Sequence, residues 1–217
     1  MLTFASSEKQ FSYIKMKLII MTKSTFFVEE DKILTTLFDE GLDSLHLYKP
    51  DSEPIYSERL LTLLPSDYLR RITVHDHFYL CQEYRLRGIH LDSPSVQPPI
   101  GYRGVLSRTC RKLDELREAK RQSDYVFLKT IFDSQSNPAD RQSFSYEELQ
   151  QAQRQGLIDR KVYALGGISL DNLRLCRDLG FGGVVICGDL WNRFDIHRQL
   201  DYKELIAHFQ RLRKAAL

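Results

Sequence analysis

"KVYALGGISLDNLRLCRDLGFGGVVICG", residues 161–188, decides how the rest of the chain is read. It opens on an apolar run suited to a strand and crosses Gly166 and Gly167. It continues as a helix-like segment over 170–180 and closes on a second apolar run, "GVVICG" (183–188). Strand, helix and strand in this order make a parallel unit, because parallel strands need a crossover between them. The paired glycines are the odd feature. Each loses more backbone entropy on folding than another residue would, so a strand-to-helix junction carries two of them only where bare backbone is needed.

Outward from this unit the same alternation covers most of the chain. Strand-like runs are "KLIIMT" (17–22), "LDSLHL" (42–47), "RITVHD" (71–76), "GIHL" (88–91), "RGVLS" (103–107) and "DYVFLK" (124–129), followed by "KVYALG" (161–166) and "GVVICG". Between them lie helix-like segments such as "EEDKILTTLFDE", "SERLLTLL", "KLDELREAK" and "YEELQQAQRQG". Strands rich in Val, Ile and Leu that alternate with amphipathic helices imply a parallel sheet covered on its faces. About eight such units fit a single (β/α)8 TIM barrel, an α/β fold whose post-strand loops build the active site. An open doubly wound sheet, which uses fewer strands, is the competing architecture. The barrel domain is placed at residues 16–217, since Met16 directly precedes the first strand-like run; residues 1–15 read as an N-terminal extension. The stretch "DSQSNPADRQSFS" (133–145) reads as a lid over the site.

The 217 residues are 42% hydrophobic, enough for one sizeable core. Thirty-one Lys and Arg against 29 Asp and Glu leave a net charge of +2, without the basic excess of a nucleic-acid binder. No apolar run approaches the roughly 18 residues of a membrane span, and the start lacks the basic-then-apolar pattern of a secretion signal. Cys81, Cys110, Cys176 and Cys187 are widely spaced without a CxxC pair, which indicates reduced thiols. The expectation is a cytoplasmic protein whose partner is a small molecule, neither nucleic acid nor membrane, with self-association left open.

In a barrel, the loops after the last two strands can offer backbone N–H groups to a phosphate, and glycines let the anion approach. Gly166, Gly167, Cys187 and Gly188 are therefore candidate phosphate binders, with simple tight turns as the alternative. A second group stands at the ends of the middle strands: His75, Asp76 and His77, then His90 and Asp92. His75 and His77 share a strand face, as a metal-binding pair would. Later strands add only Asp189, so ordinary hydrogen-bonded histidines are the preferred reading. Asp76 is a candidate Mg²⁺ ligand if substrate phosphates supply the other oxygens. Ser107, Ser134 and Ser136 read as hydroxyl donors at or just beyond strand ends, and Lys49 and Lys129 as cations at the barrel mouth. Trp191 and Tyr163 read as packing residues.

The order of these motifs resembles the thiamine phosphate synthase and TenI-like family over roughly residues 17–193. The resemblance is carried by "VHDHFYLCQEYRLRGIHL", "SDYVFLKTIFDSQS" and "YALGGISLDNLRLCRDLGFGGVVICGDLW", which are similar to the family's Asn-Asp and Gly-Val-His-Leu motif, its Thr-x-Thr phosphate loop and its Gly-Gly-Ile motif. It implies joining hydroxymethylpyrimidine diphosphate to thiazole phosphate with release of pyrophosphate and help from Mg²⁺. By resemblance, Gly167, Cys187 and Gly188 hold the thiazole phosphate through backbone amides and Asp76 binds Mg²⁺. Ser107, Ser134 and Ser136 contact the pyrophosphate or thiazole, and His46 and Lys129 join Ser107 as candidate catalytic residues. The chain departs from the pattern at several places. In "HLYKP", His46, Tyr48 and Pro50 stand where the family has Gln, Arg and Lys. Ser95 replaces a second Mg²⁺ aspartate, and Asn137 replaces the lysine after Thr-x-Thr. The changes at Tyr48, Pro50 and Asn137 remove positive charge, and that at Ser95 a Mg²⁺ ligand, which would offset an anionic leaving group. Lys129 is the nearest replacement cation. A TenI-like thiazole phosphate tautomerase and a non-catalytic thiazole phosphate binding protein are the alternatives, although the tautomerase histidine is replaced by Thr109.

Overall fold

The computed structural model describes residues 15–193 and 202–217; most of the expected N-terminal extension lies outside the described residues. Eight parallel strands close into a barrel: Lys17–Met21 (β1), Ser44–Leu47 (β2), Ile72–Val74 (β3), Gly88–Leu91 (β4), Val105–Cys110 (β5), Tyr125–Lys129 (β6), Val162–Leu165 (β7) and Gly183–Ile186 (β8). Closure runs from β8 to β1 through the register Lys17–Gly183, Leu18–Val184, Ile19–Val185 and Ile20–Ile186. The described helices are Glu30–Asp39 (α1), Pro54–Leu63 (α2), Ser66–Leu69 (α3), Tyr79–Glu83 (α4), Leu116–Gln122 (α5), Tyr146–Arg154 (α6), Leu173–Asp178 (α7), Gly188–Trp191 (α8) and Lys203–Ala216 (α9). The single (β/α)8 barrel expected from the alternation is the fold observed.

Strand alternation divides the molecule into two cores. Outward residues such as Leu45, Leu47, Ile72, Val74, Val126, Leu128, Val184 and Ile186 pack with the helices in one continuous cluster. The helices present matching stripes: Ile33, Leu34, Leu37 and Phe38 of α1, and Leu205, Phe209 and Leu212 of α9. Burial of these side chains supplies the main stabilising free energy, on the order of 1.5–3 kcal/mol for each large apolar residue.

The barrel interior is split by chemistry. Ile19, Met21, Tyr125, Phe127 and Val185, from β1, β6 and β8, form a compact apolar cluster. The opposite half is polar, with Ser44, His46, Thr73, His75, His90, Ser107 and Thr109 from β2–β5 all buried. Burial of polar side chains is costly unless they are hydrogen-bonded: His46 bonds His75 and Tyr125, and His90 bonds Ser107 and Thr109, while Ser44 Oγ and Thr73 Oγ1 are buried without a partner. β5 runs to Cys110, past the boundary expected at residue 107. This extra length sinks Ser107 into the barrel and brings Thr109 and Arg111 to its rim.

Candidate active site

At the C-terminal mouth lies a cavity of about 500 Å³, lined by residues from the ends of seven strands, all but β3, and from the segment after β6. One wall is the glycine wall: Gly166, Gly167 and Ile168 after β7, and Cys187 and Gly188 after β8, bring two loops to the same space. Gly166 has φ +98° and Gly167 φ +64°, conformations in which a side chain is strained. A Cβ at Gly167 would lie 2.3 Å from the Asp133 carbonyl oxygen, and one at Gly166 2.4 Å from Thr130 Cγ2. The β6 loop therefore rests directly on the glycines, which is one reason for bare backbone there. At Gly188 a Cβ would meet Gln135 Cβ at 2.8 Å, so the same loop also seats on the β8 turn.

That loop supplies the second wall. Ser134 and Ser136 line the cavity with their hydroxyl oxygens 3.5 Å apart, and Ser134 Oγ accepts from the Asn137 backbone N–H at 3.1 Å. The expected lid is a hydrogen-bonded loop: Asn137 Nδ2 donates to Asp140 at 3.1 Å, and the Ser134 N–H to the Asp140 carbonyl at 2.9 Å. Lys129, at the end of β6, reaches it through a 2.8 Å ion pair with Asp140. Lys23 after β1 and Arg111 after β5 add two more cations to the lining. Strand-end position is the signal that would have found Lys23 and Arg111, which motif reading passed over.

The third wall, from β2 and β4, is built differently. Tyr48 and Asp92 line the cavity, and beneath them lies a histidine cluster. His75 Nδ1 is 2.8 Å from Asp92 Oδ2, His46 Nδ1 is 2.8 Å from His75 Nε2, and His46 Nε2 is 2.8 Å from the Tyr125 hydroxyl. His90 is held at 2.7 Å by Ser107 Oγ and at 2.9 Å by Thr109 Oγ1. Burial, reinforced by the neighbouring His75 ring, holds His46 and His90 well below the usual histidine pKa, so both are neutral. Burial, then the Asp92 and Asp76 carboxylates, raises the Tyr48 hydroxyl above its ordinary value.

The sequence-predicted residues are thus only partly brought together. Gly166, Gly167, Cys187, Gly188, Ser134, Ser136 and Lys129 share one cavity. His46 and Ser107 are fully buried below its floor, where neither side chain lines the cavity. His75 and His77 are hydrogen-bonded histidines rather than a metal-binding pair: His77, at φ 51°, bonds the Ser52 carbonyl at 2.9 Å, and His75 turns inward to Asp92. Lys49 is not at the mouth. It is buried against Glu30 at 2.6 Å, with its ammonium 4.4 Å from the Phe26 ring centroid. Trp191 packs as expected, donating from its indole to the Met21 carbonyl at 2.6 Å. Asp76 stands outside the lining, yet its Oδ2 is buried without a hydrogen-bond partner, the state of a carboxylate oxygen able to take a cation. Ser95 is exposed and bonds Ser93 Oγ at 2.9 Å, so it brings no charge.

Comparison with known proteins decides the family. The family model described as thiamine monophosphate synthase matches residues 57–190. The chain belongs to the thiamine monophosphate synthase family. A thiamine phosphate pyrophosphorylase of Bacteroides thetaiotaomicron, known as a crystal structure, is 49% identical and superposes with a TM-score of 0.85 over 93% of this chain and 98% of that one. A thiamine-phosphate synthase of Flavobacterium johnsoniae is 23% identical over 186 residues, covering 79% of this chain and 87% of that protein. One from Clostridioides difficile is 23% identical over 197 residues, covering 86% and 92%. Within this family's barrel, the cavity described above occupies the strand ends where barrel enzymes place their chemistry. No described helix is long and apolar enough to cross a membrane.

Proposed function

We propose that this protein is a thiamine phosphate synthase. The observation that carries the reading is the convergence, in one cavity, of two glycine turns, two serine hydroxyls and three cations, Lys23, Arg111 and Lys129. Such a cavity suits two phosphorylated substrates. In the reaction, the bond between the pyrimidine methylene carbon and the diphosphate oxygen breaks, and its electron pair leaves with pyrophosphate. The thiazole nitrogen lone pair then forms the new C–N bond to the methylene carbon. The protein's task is to hold both rings in line and to offset charge on the leaving group. The glycine turns and Ser134 and Ser136 would hold the thiazole phosphate, as backbone nests and hydroxyls do for anions. Lys129 would exchange its Asp140 partner for pyrophosphate, replacing charge lost at Tyr48, Pro50 and Asn137. Asp76 would hold Mg²⁺ through its bare oxygen, and the ion would supply further charge to the leaving group. His46 and Ser107 support the floor of the site. The histidine that the resemblance gives a TenI-like tautomerase is Thr109 here, and no histidine is among the described cavity-lining residues.

Purified protein mixed with hydroxymethylpyrimidine diphosphate, thiazole phosphate and Mg²⁺ is expected to form thiamine phosphate, followed as thiochrome fluorescence after oxidation. Lys129→Ala should lower kcat/KM about tenfold or more, the scale of one lost charge-assisted contact. Thiazole phosphate binding with no turnover by the unmodified protein would overturn the reading in favour of an isomerase or a binding protein.

A further inference from the structure

A chain of hydrogen bonds beneath the third wall ends on Asp92. As a carboxylate, Asp92 only accepts hydrogen bonds; its Oδ2 therefore accepts from His75 Nδ1 at 2.8 Å. His75 Nε2 pairs with His46 Nδ1, also at 2.8 Å, and His46 Nε2 with the Tyr125 hydroxyl at 2.8 Å. Both nitrogens of each ring are thus engaged, and neither ring is free to turn.

The chain fixes Asp92 as an acceptor in one orientation. The Asp92 side chain is 43% exposed and lines the cavity; its second oxygen lies 3.5 Å from His90 Nε2, leaving lone pairs free toward the cavity. Beside it Tyr48 presents an aromatic ring, held edge-on to His75 with centroids 5.3 Å apart. A fixed acceptor-only carboxylate next to an aromatic face complements a flat heterocycle carrying an N–H donor. It does not complement a phosphate, which Asp92 would repel.

We propose that Asp92 and Tyr48 form the subsite for the amino-substituted pyrimidine ring, with Asp92 accepting its exocyclic N–H, and that His75 and His46 are positioning residues for Asp92. The inference rests on the synthase reading above and adds the residues that select one ring over the other. The thiazole, lacking an N–H donor, falls to the glycine wall.

The test is calorimetric titration of the unmodified protein and of Asp92→Asn with three probes: 4-amino-5-hydroxymethyl-2-methylpyrimidine diphosphate, thiazole phosphate, and magnesium pyrophosphate. In Asp92→Asn the amide oxygen must accept from His75, which turns the NH₂ group toward the ligand and sets donor against donor. The pyrimidine diphosphate should bind about tenfold more weakly, a loss of about 1.4 kcal/mol, while the other two change less than about twofold. Equal binding of the pyrimidine by both proteins, or equal weakening of all three probes, overturns the subsite while leaving the synthase reading intact. No pyrimidine binding by the unmodified protein overturns both. Nitrogen-15 NMR of the unmodified protein tests the positioning role directly: His75 Nδ1 should carry the proton that Asp92 accepts. A bare Nδ1 on His75 overturns the positioning role.

Discussion

Gly167 shows what one residue position can decide. Its φ of +64° and the Asp133 carbonyl oxygen 2.3 Å from a notional Cβ leave no room for a side chain. Gly167→Ala is expected to destabilise the fold by about 2 kcal/mol or more, combining left-handed strain with displacement of the β6 loop. A urea unfolding midpoint measures the loss, and thiazole phosphate binding should weaken with it. The cysteines make a second residue-scale prediction. Burial pushes the Cys110 and Cys176 thiols up to about 12 from an ordinary 9.0. The unfolded chain ionises these thiols first and so binds fewer protons; their contribution is intact below pH 9 and is lost as pH rises toward 12. Stability should fall by about 1.4 kcal/mol per pH unit for each thiol across that window. Cys110→Ser with Cys176→Ser should flatten the slope in urea titrations at stepped pH. The glycines stood out in the sequence, but the loop that rests on them did not, since that contact joins residues more than thirty positions apart.

Individual elements depend on contacts at their ends. α6 starts with Ser145, whose hydroxyl accepts from the Glu148 N–H at 3.2 Å while the Glu148 carboxylate accepts from the Ser145 N–H at 2.7 Å. Ser145→Ala should cost about 1 kcal/mol, read from the thermal midpoint, because the helix loses a capping box. The Lys49–Glu30 pair ties the end of β2 to the start of α1, with both side chains almost wholly buried. Lys49→Met should cost about 3–5 kcal/mol by leaving Glu30 charged and unpaired, and Glu30→Gln in the same chain should recover part of it. Strand and helix order was legible because hydrophobic period and composition are local properties. The end of β5 was not: "SRTC" lacks the apolar run of the other strands, and pairing of Arg108, Thr109 and Cys110 with Val126, Phe127 and Leu128 is what carries the strand on.

For the whole molecule, the proposed function couples ligand to stability. On that proposal, a phosphate seated between the β7 and β8 turns and the β6 loop would bridge segments that the chain brings together only when the barrel is closed. Thiazole phosphate at about a hundred times its dissociation constant should therefore raise stability by about 2.7 kcal/mol. The resulting rise in thermal midpoint should be lost in Ser134→Ala with Ser136→Ala if these hydroxyls hold the phosphate. The sequence by itself determined the alternation of strands and helices and the glycine turns, because each depends on residue type within a short window; closure into a barrel rather than an open sheet rests on the long-range pairing of β1 with β8. Tertiary structure decided which polar residues face the cavity. His46 and Ser107 carry the chemistry of a catalytic site but point into the closed barrel, whereas Asp92, Lys23 and Arg111 reach the rim. Which end of a strand is floor and which is rim follows from the stagger of eight strands around a closed ring, a relation that no single segment contains.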